Sequence, residues 1–340
     1  MKILVTGGGG FLGGAIVRHL WKQGSDVRSF SRKRYLALKK MNIEEFSGDL
    51  RDTKAVMRAV KGCDLVFHVS AKSGIWGEYK EYHETNVLGT KNILTACKAY
   101  GVKRLVYTSS PSVVFSGKDH EGVDESQPYP DKYLAHYPKT KAIAEKMVIK
   151  ENGPDFATVI LRPHLIWGPG DNHLVPRLIA RAGEGKLRKI GKTAKIVDSV
   201  FIDNAVQAHV LAAARLAPGS PVAGKTYFIS NGEPMPMQEL IDSIIASQGF
   251  PPVEKYLSPE FAYFAGFALE VLYTILKRIE EPPMTRFLAR QLSTHHWFDI
   301  SAARRDLGYE PLISIREGLE RLKENAANLK QKGGIWKSSG

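Results

Sequence analysis

Tyr137-Pro138-Lys139-Thr140-Lys141 places a phenol and an ammonium four positions apart. On a helix, that spacing puts both on one face. A phenol titrates near ~10 in water, and a neighbouring cation favours its ionised form. Such a phenol can give a proton to, or take one from, an oxygen of a bound substrate. The pattern is common by chance. It carries chemistry only if the rest of the chain supplies a redox cofactor, a second donor to the same oxygen and a pocket.

A cofactor loop stands at the start of the chain. Lys2–Thr6 reads as a buried strand, Gly7-Gly8-Gly9-Gly10-Phe11-Leu12-Gly13 follows, and Ala15–Leu20 reads as a helix. Strand, glycine turn and helix form the opening of a dinucleotide-binding unit. Gly7, Gly10 and Gly13 allow a tight turn and close approach to a pyrophosphate, with Phe11 and Leu12 leading into the helix whose N-terminus faces the phosphate charge. The second strand, Asp26–Phe30, ends in Ser31-Arg32-Lys33-Arg34. A carboxylate at this point would select NAD, and a cation accommodates the 2′-phosphate of NADP. Arg32 is the first choice for that phosphate because a guanidinium grips it as a fork, with Lys33 beside it.

Alternation continues along the chain. Ile43–Phe46 reads as a strand running into Asp49-Leu50, and residues 53–61 as a helix. Leu65–Ala71 is the next strand, and places Ser70 and Ala71 at the cofactor edge. A loop carrying Trp76 follows, then a long helix around Asn86 to Tyr100. Arg104–Ser110 is a strand tipped with hydroxyls, and Val159–Arg162 another, leading into Pro163-His164-Leu165-Ile166-Trp167. His68 sits in an apolar run and reads as a packed core residue. This is the signature of an α/β, Rossmann doubly wound parallel sheet with a smaller C-terminal substrate domain. The expected division is 1–170 for the dinucleotide domain with 197–216 returning to it, 171–196 and 217–329 for the substrate domain, and 330–340 as a flexible tail.

Composition sets limits. With 340 residues and 43% hydrophobic content the chain can bury a large core. Its two cysteines, Cys63 and Cys97, form no ligand cluster, so neither a disulfide framework nor a metal site is expected, and the default location is cytoplasmic. The formal charge of +13 suits an anionic cofactor, substrate or membrane surface. No basic helix points to nucleic acid. Phe261–Leu276 is apolar but interrupted by Glu270, too short to span a bilayer. A core or pocket-lining helix is the expected explanation, with peripheral membrane contact or a partner groove as alternatives.

With the glycine loop, Ser109-Ser110 and the Tyr137–Lys141 pair in this order, the sequence resembles the extended short-chain dehydrogenases/reductases along nearly its whole length. The resemblance implies that Tyr137 is the acid/base, that Lys141 lowers its pKa and holds the nicotinamide ribose, and that Ser110 binds the substrate oxygen, with Ser109 and Ser112 as neighbouring candidates. It matches Asn86 to the helix asparagine near the active site, puts Asp49 and Leu50 at the adenine, and places the backbone of Pro163–Ile166 at the nicotinamide. Trp76, Ser112, His164 and Trp167 are the candidate substrate contacts.

Within this group the sequence is similar to the 3-beta-hydroxysteroid and sterol dehydrogenase branch. It resembles most the bacterial 2-alkyl-3-oxoalkanoate reductases of head-to-head olefin biosynthesis. The residues that carry this are the loop Lys72–Tyr82, LRPHLIWGPGDNHLVPRL at 161–178, YFISNGEPMPMQEL at 227–240 and EPPMTRFLARQLSTHHWFDISAARRDLGYEP at 281–311. That resemblance implies NADPH-dependent reduction of a long-chain 2-alkyl-3-keto acid, with hand-over to a lactone-forming ligase-like enzyme and a decarboxylase. A homodimer through the helices near 86–100 and 137–150 is also expected. A sterol dehydrogenase is the alternative activity. A sugar-nucleotide epimerase or a non-catalytic NADP-binding protein ranks lower.

Overall fold

In the computed structural model, which describes residues 1–331, seven parallel strands form one sheet. From one edge the order is Thr226–Ile229, Ala157–Pro163, Arg104–Thr108, Leu65–His68, Lys2–Thr6, Asp26–Ser31 and Glu44–Ser47. The order reverses between Lys2–Thr6 and Leu65–His68, and ligands bind beyond the carboxyl ends of strands at such a switch point. The strands alternate their apolar side chains between two layers. Ile3 and Val5 enter one core and Leu4 the other. Helices Phe11–Lys22 and Ile202–Arg215 cover the first face; Thr53–Val60, Gly89–Ala99 and His136–Glu151 cover the second. Burial on both faces is why the strands read as continuous apolar runs.

The smaller lobe is assembled from distant segments. Met235–Pro236, Ile196–Val197, His296–Phe298 and His120–Val123 make a four-stranded sheet in that order. His120, expected inside the dinucleotide domain, therefore belongs to this lobe. Conversely, Thr226–Ile229 lies in the stretch assigned to the substrate domain, yet it pairs in parallel with Ala157–Pro163 and closes an edge of the main sheet. A four-residue strand between glycine- and proline-containing loops carries too little periodicity to declare its sheet. The start of the stretch expected to return to the dinucleotide domain, 197–202, is split: Val197 joins the small sheet, Val200–Phe201 pairs with Ile166–Trp167, and Ile202 begins the helix that packs on the main sheet.

A second correction concerns the apolar segment. Helix Pro259–Ile275 buries only Ala262 and Gly266, and Gly266 passes so close to the Thr285 backbone that a Cβ would lie 2.6 Å from it. Phe261, Phe264, Phe267, Val271, Leu272 and Ile275 are exposed. It is neither a core helix nor a wall of the cavity described below. No helix among the described residues is long and apolar enough to cross a membrane. From residue 332 onward the expected tail lies outside the described residues.

Candidate active site

The glycine loop has the shape a dinucleotide requires. Gly7 adopts φ +73°, its N–H donates to the Phe30 carbonyl at 2.7 Å, and Gly10 N–H donates back to the Gly7 carbonyl at 2.8 Å. A Cβ on Gly13 would fall 2.2 Å from that carbonyl, so the helix can start here only with glycine. Ser70 follows the fourth strand and lies against Gly7; Ala71 is next to it. At the other side the Gly9 N–H donates to Ser31 Oγ at 3.2 Å, and the Tyr35 ring lies flush on Gly9, where a Cβ would be 1.9 Å from it. Arg32, Lys33 and Arg34 are exposed and form no salt bridge among the described residues. Asp49 is held by Arg51 through its Nε at 3.0 Å and Nη2 at 2.9 Å, and these hydrogen bonds keep its carboxyl below the usual range. Leu50 is buried and packs against Gly89.

Tyr137 lies in the first turn of helix His136–Glu151, at one wall of a cavity of about 210 Å³. Ser110, Ser112 and His164 line the same cavity, with Gly74, Ile75, Phe115 and Phe287. Ser110 caps the short helical turn Pro111–Val114, and its Oγ accepts from the Ser112 N–H at 3.2 Å. Of the three serine candidates, Ser109 is withdrawn from the cavity because its hydroxyl donates to the buried Glu145 carboxylate. Removal from water pushes the Tyr137 phenol up to about 12, against a hydrogen bond with Ser110 that lowers it.

Lys141 lies one turn further along the same helix and is buried. Its ammonium donates to the Thr108 main-chain carbonyl at 2.6 Å and lies 4.1 Å over the Tyr107 ring. Burial lowers its own pKa to about 7, against an upward pull from Glu145 one helical turn further on. Asn86 also acts at a distance from the cavity. It sits in a π-helical segment, His83–Leu88, a distortion frequent at functional sites. Its Oδ1 accepts from Lys72 N–H at 2.7 Å, and its Nδ2 donates to the Lys72 carbonyl and to Thr140 Oγ1, each at 3.1 Å. Asn86 thus pins the loop after the fourth strand to the helix of Tyr137.

Two substrate candidates are misplaced by the sequence reading. Trp167 is fully buried, packs edge-on against Phe201 and donates Nε1–H to Ser199 Oγ at 2.9 Å. Trp76 donates to the Arg278 carbonyl at 3.0 Å and meets Tyr273, linking its loop to the exposed apolar helix instead of the cavity. Pro163 ends its strand and Ile166 begins the next short one. Between them Leu165 is held at φ +43°, a strained conformation for a branched side chain at the cavity wall. His68 is the core residue expected, bonded on both ring nitrogens by Thr6 and Thr90 and pushed down to about 3 by burial.

Residues missed in the sequence complete the wall. Besides His164, the cavity is lined by His120, His296, Gln291 and Phe298. Below it, Glu145 is wholly buried and bonded by Arg162 Nη2 at 2.6 Å and by the Tyr129 hydroxyl at 2.7 Å.

Residues 4–257 match the model of the 3-beta hydroxysteroid dehydrogenase/isomerase family. The chain belongs to that family. Like its relatives it is an oxidoreductase acting on a CH–OH/C=O pair. The 2-alkyl-3-oxoalkanoate reductase of Stenotrophomonas maltophilia (strain K279a) is 52% identical over 330 residues, covering 96% of this chain and 100% of the relative. The reductase of the same name from Shewanella oneidensis (strain ATCC 700550 / JCM 31522 / CIP 106686 / LMG 19005 / NCIMB 14063 / MR-1) is 49% identical, covering 94% and 84%. Among solved structures, that of gox2253 superposes with a TM-score of 0.78 at 25% identity, covering 98% of this chain and 99% of the other. The seven-stranded Rossmann sheet is therefore the family's fold, as the sequence implied.

Proposed function

We propose that this chain reduces the 3-keto group of a 2-alkyl-3-oxoalkanoate to the 2-alkyl-3-hydroxyalkanoate, with NADPH, as a step towards olefinic hydrocarbons. The observation that carries the reading is the Tyr137–Ser110 pair at one cavity wall, in a chain half identical to reductases named for that substrate.

The residues present fit a dinucleotide. The turn at Gly7–Gly13 leaves no room for a Cβ where the pyrophosphate would approach. Arg32 and Lys33, exposed after the second strand and without a salt bridge among the described residues, suit a 2′-phosphate, and Ser70, Ala71, Pro163 and Ile166 lie along the carboxyl edge. When bound, a reduced nicotinamide supplies the two-electron reductant. The chain does the rest. Ser110 and Tyr137 hydrogen-bond the ketone oxygen and stabilise the charge that develops on it. Tyr137 then gives its proton to that oxygen. Lys141, with a pKa near neutrality, replenishes charge and proton at this edge and is positioned by Thr108.

The cavity volume of 210 Å³ falls below the ~300–1,000 Å³ usual for ligand pockets. It encloses the keto-acid head, while long alkyl tails leave through its mouth. The product is a 2-alkyl-3-hydroxy acid, suited to a lactone-forming ligase-like partner and a decarboxylase. A steroid 3-dehydrogenase is the second reading, favoured by the family match. The cation run after the second strand favours NADPH, and so reduction. The test is turnover by the purified protein of a 2-alkyl-3-keto acid, a 3-ketosteroid and a UDP-sugar, each with NADPH and with NADH. Loss of nicotinamide absorbance with the keto acid and NADPH is expected. Turnover of the steroid alone would overturn the reading.

A further inference from the structure

The basic turn after the second strand is fixed at both ends. At its start, the strand Asp26–Ser31 runs in register beside Glu44–Ser47, with Ser31 opposite Ser47. Arg32, Lys33 and Arg34 then leave the sheet and are exposed. The chain is caught again at Tyr35, whose N–H donates to Glu45 Oε2 at 2.9 Å. The Tyr35 carbonyl accepts from the N–H groups of Leu38 and Lys39, each at 3.0 Å, and Leu38 is buried in the core. Three cations thus stand between two anchors.

The Tyr35 side chain ties this turn to the glycine loop. Its ring is half-buried against the core and lies on Gly9. A Cβ at position 9 would fall 1.9 Å from ring carbon Cε2. Gly7 has a left-handed backbone, and Gly9 does not. The reason for a glycine at position 9 is therefore the ring and not the backbone. The same residue makes a second link, because the Gly9 N–H donates to Ser31 Oγ at 3.2 Å. That bond uses an oxygen lone pair and leaves the Ser31 O–H free to donate. Glycine loop, strand end and basic turn are joined at Gly9.

Resting on the reading of NADPH as the cofactor, we infer that Tyr35 is a positioning residue for the 2′-phosphate. By seating its ring on Gly9 it holds the turn Arg32–Arg34 so that its cations and the Ser31 hydroxyl converge on that phosphate. In a sheet of this kind the adenosine ribose lies at the end of the second strand, beside the glycine loop. Arginine and lysine side chains lose rotamer freedom when they grip a phosphate, and a turn free to swing loses backbone freedom as well. A turn fixed in advance avoids the second loss, which is the advantage of preorganisation. The guanidinium fork also binds in a definite direction, so Arg32 depends on where the turn points it. Gly9 belongs to the same device: a side chain there lifts the ring, and the turn with it. A 5′-phosphate is held by the glycine turn and the helix start, through contacts that do not involve the three cations.

The test is titration calorimetry of the full chain with 2′,5′-ADP and with 5′-AMP, two ligands that differ only in the 2′-phosphate. With Arg32 and Lys33 each contributing a charge-assisted contact, the wild type prefers 2′,5′-ADP by about a hundredfold. Tyr35→Ala lowers that preference by about tenfold, the fold-change for ordering the freed turn and its side chains, and leaves 5′-AMP near wild type. Tyr35→Phe keeps the ring and keeps the preference. Gly9→Ala lowers the preference as Tyr35→Ala does, and adds little when combined with it, because the ring it displaces is already gone. Should Tyr35→Ala fail to fold, Gly9→Ala carries the same test. An unchanged preference in the folded variant overturns the inference and leaves the NADPH reading standing. An equal loss of both ligands, or losses from Gly9→Ala and Tyr35→Ala that simply add, overturns it as well. A wild type that binds both ligands alike overturns the NADPH reading itself.

Discussion

The Lys141 ammonium reaches the Thr108 main-chain carbonyl at 2.6 Å, one helical turn from Tyr137. This bond docks the helix of Tyr137 on the carboxyl end of the strand Arg104–Thr108, whose next residues are Ser109 and Ser110. Lys141→Met keeps length and apolar bulk but removes the donor and the proton. Loss of this acid/base support lowers kcat by about 10²–10⁴. The melting temperature changes little, because removing a desolvated charge offsets the lost bond. Steady-state kinetics alongside calorimetry check both halves.

Tyr137 and Ser110 should separate by degree. Tyr137→Phe removes the proton donor, with an expected loss of about 10²–10⁴ in kcat. Ser110→Ala removes one donor to the developing charge, with an expected loss of about 10²–10³. Neither side chain lies at the glycine loop, so NADPH affinity, followed by fluorescence titration, stays near wild type. Weakening of NADPH in step with activity would contradict the assignment.

Arg32 is tested by cofactor choice. Charge-assisted hydrogen bonds contribute ~1.5–3 kcal/mol, so Arg32→Ala should weaken NADPH by about ten- to a hundredfold, since ~1.4 kcal/mol is tenfold in affinity. NADH, which lacks the 2′-phosphate, should be affected little. Dissociation constants for both nucleotides decide the matter, and an equal loss for both would assign Arg32 to the fold.

What could be read ahead of the structure was what is local in the chain. The glycine turn, the Tyr137–Lys141 spacing and the hydroxyl tip at Ser110 each lie within a few consecutive residues, where backbone periodicity fixes side-chain direction. His120 and His296 meet only because two short strands far apart in sequence pair in register. Glu145 is buried only because Arg162 and Ser109, both from other elements, close around it. Trp167 erred the other way: its loop reached the cavity, but its side chain turned into the core. The direction of a loop side chain is set by tertiary packing, which no local pattern reports.

Buried histidines predict acid sensitivity. His68 and His164 are held down to about 3, and His209 and His296 to about 4. Unfolded, each titrates near ~6.5. As pH falls through ~6.5 the unfolded chain gains protons that the folded chain refuses, so stability declines down to about pH 4. Asp198, raised to about 6, works against this with one proton retained by the folded state. The net of several histidines over one carboxyl is a melting temperature that falls steadily from pH 6.5 to 4.5. A melting temperature constant over that range would refute the neutral, buried state of these rings.

Glu145 and Arg162 form an ion pair with almost no exposure, bonded at 2.6 Å. The carboxylate also takes the Tyr129 hydroxyl at 2.7 Å and the Ser109 hydroxyl. Removing one partner of such a pair strands the other charge, at a cost of about 3–5 kcal/mol. Arg162→Met should therefore destabilise the protein by that order in urea unfolding. Adding Glu145→Leu removes the stranded charge, so the double variant should recover much of the loss, because a buried pair replaced by apolar side chains of similar size is often near neutral. Catalysis should not recover with it. Glu145 supports the protonated form of Lys141 and draws the Ser109 hydroxyl away from the cavity. A double variant as unstable as Arg162→Met would show that the pair matters for packing more than for charge.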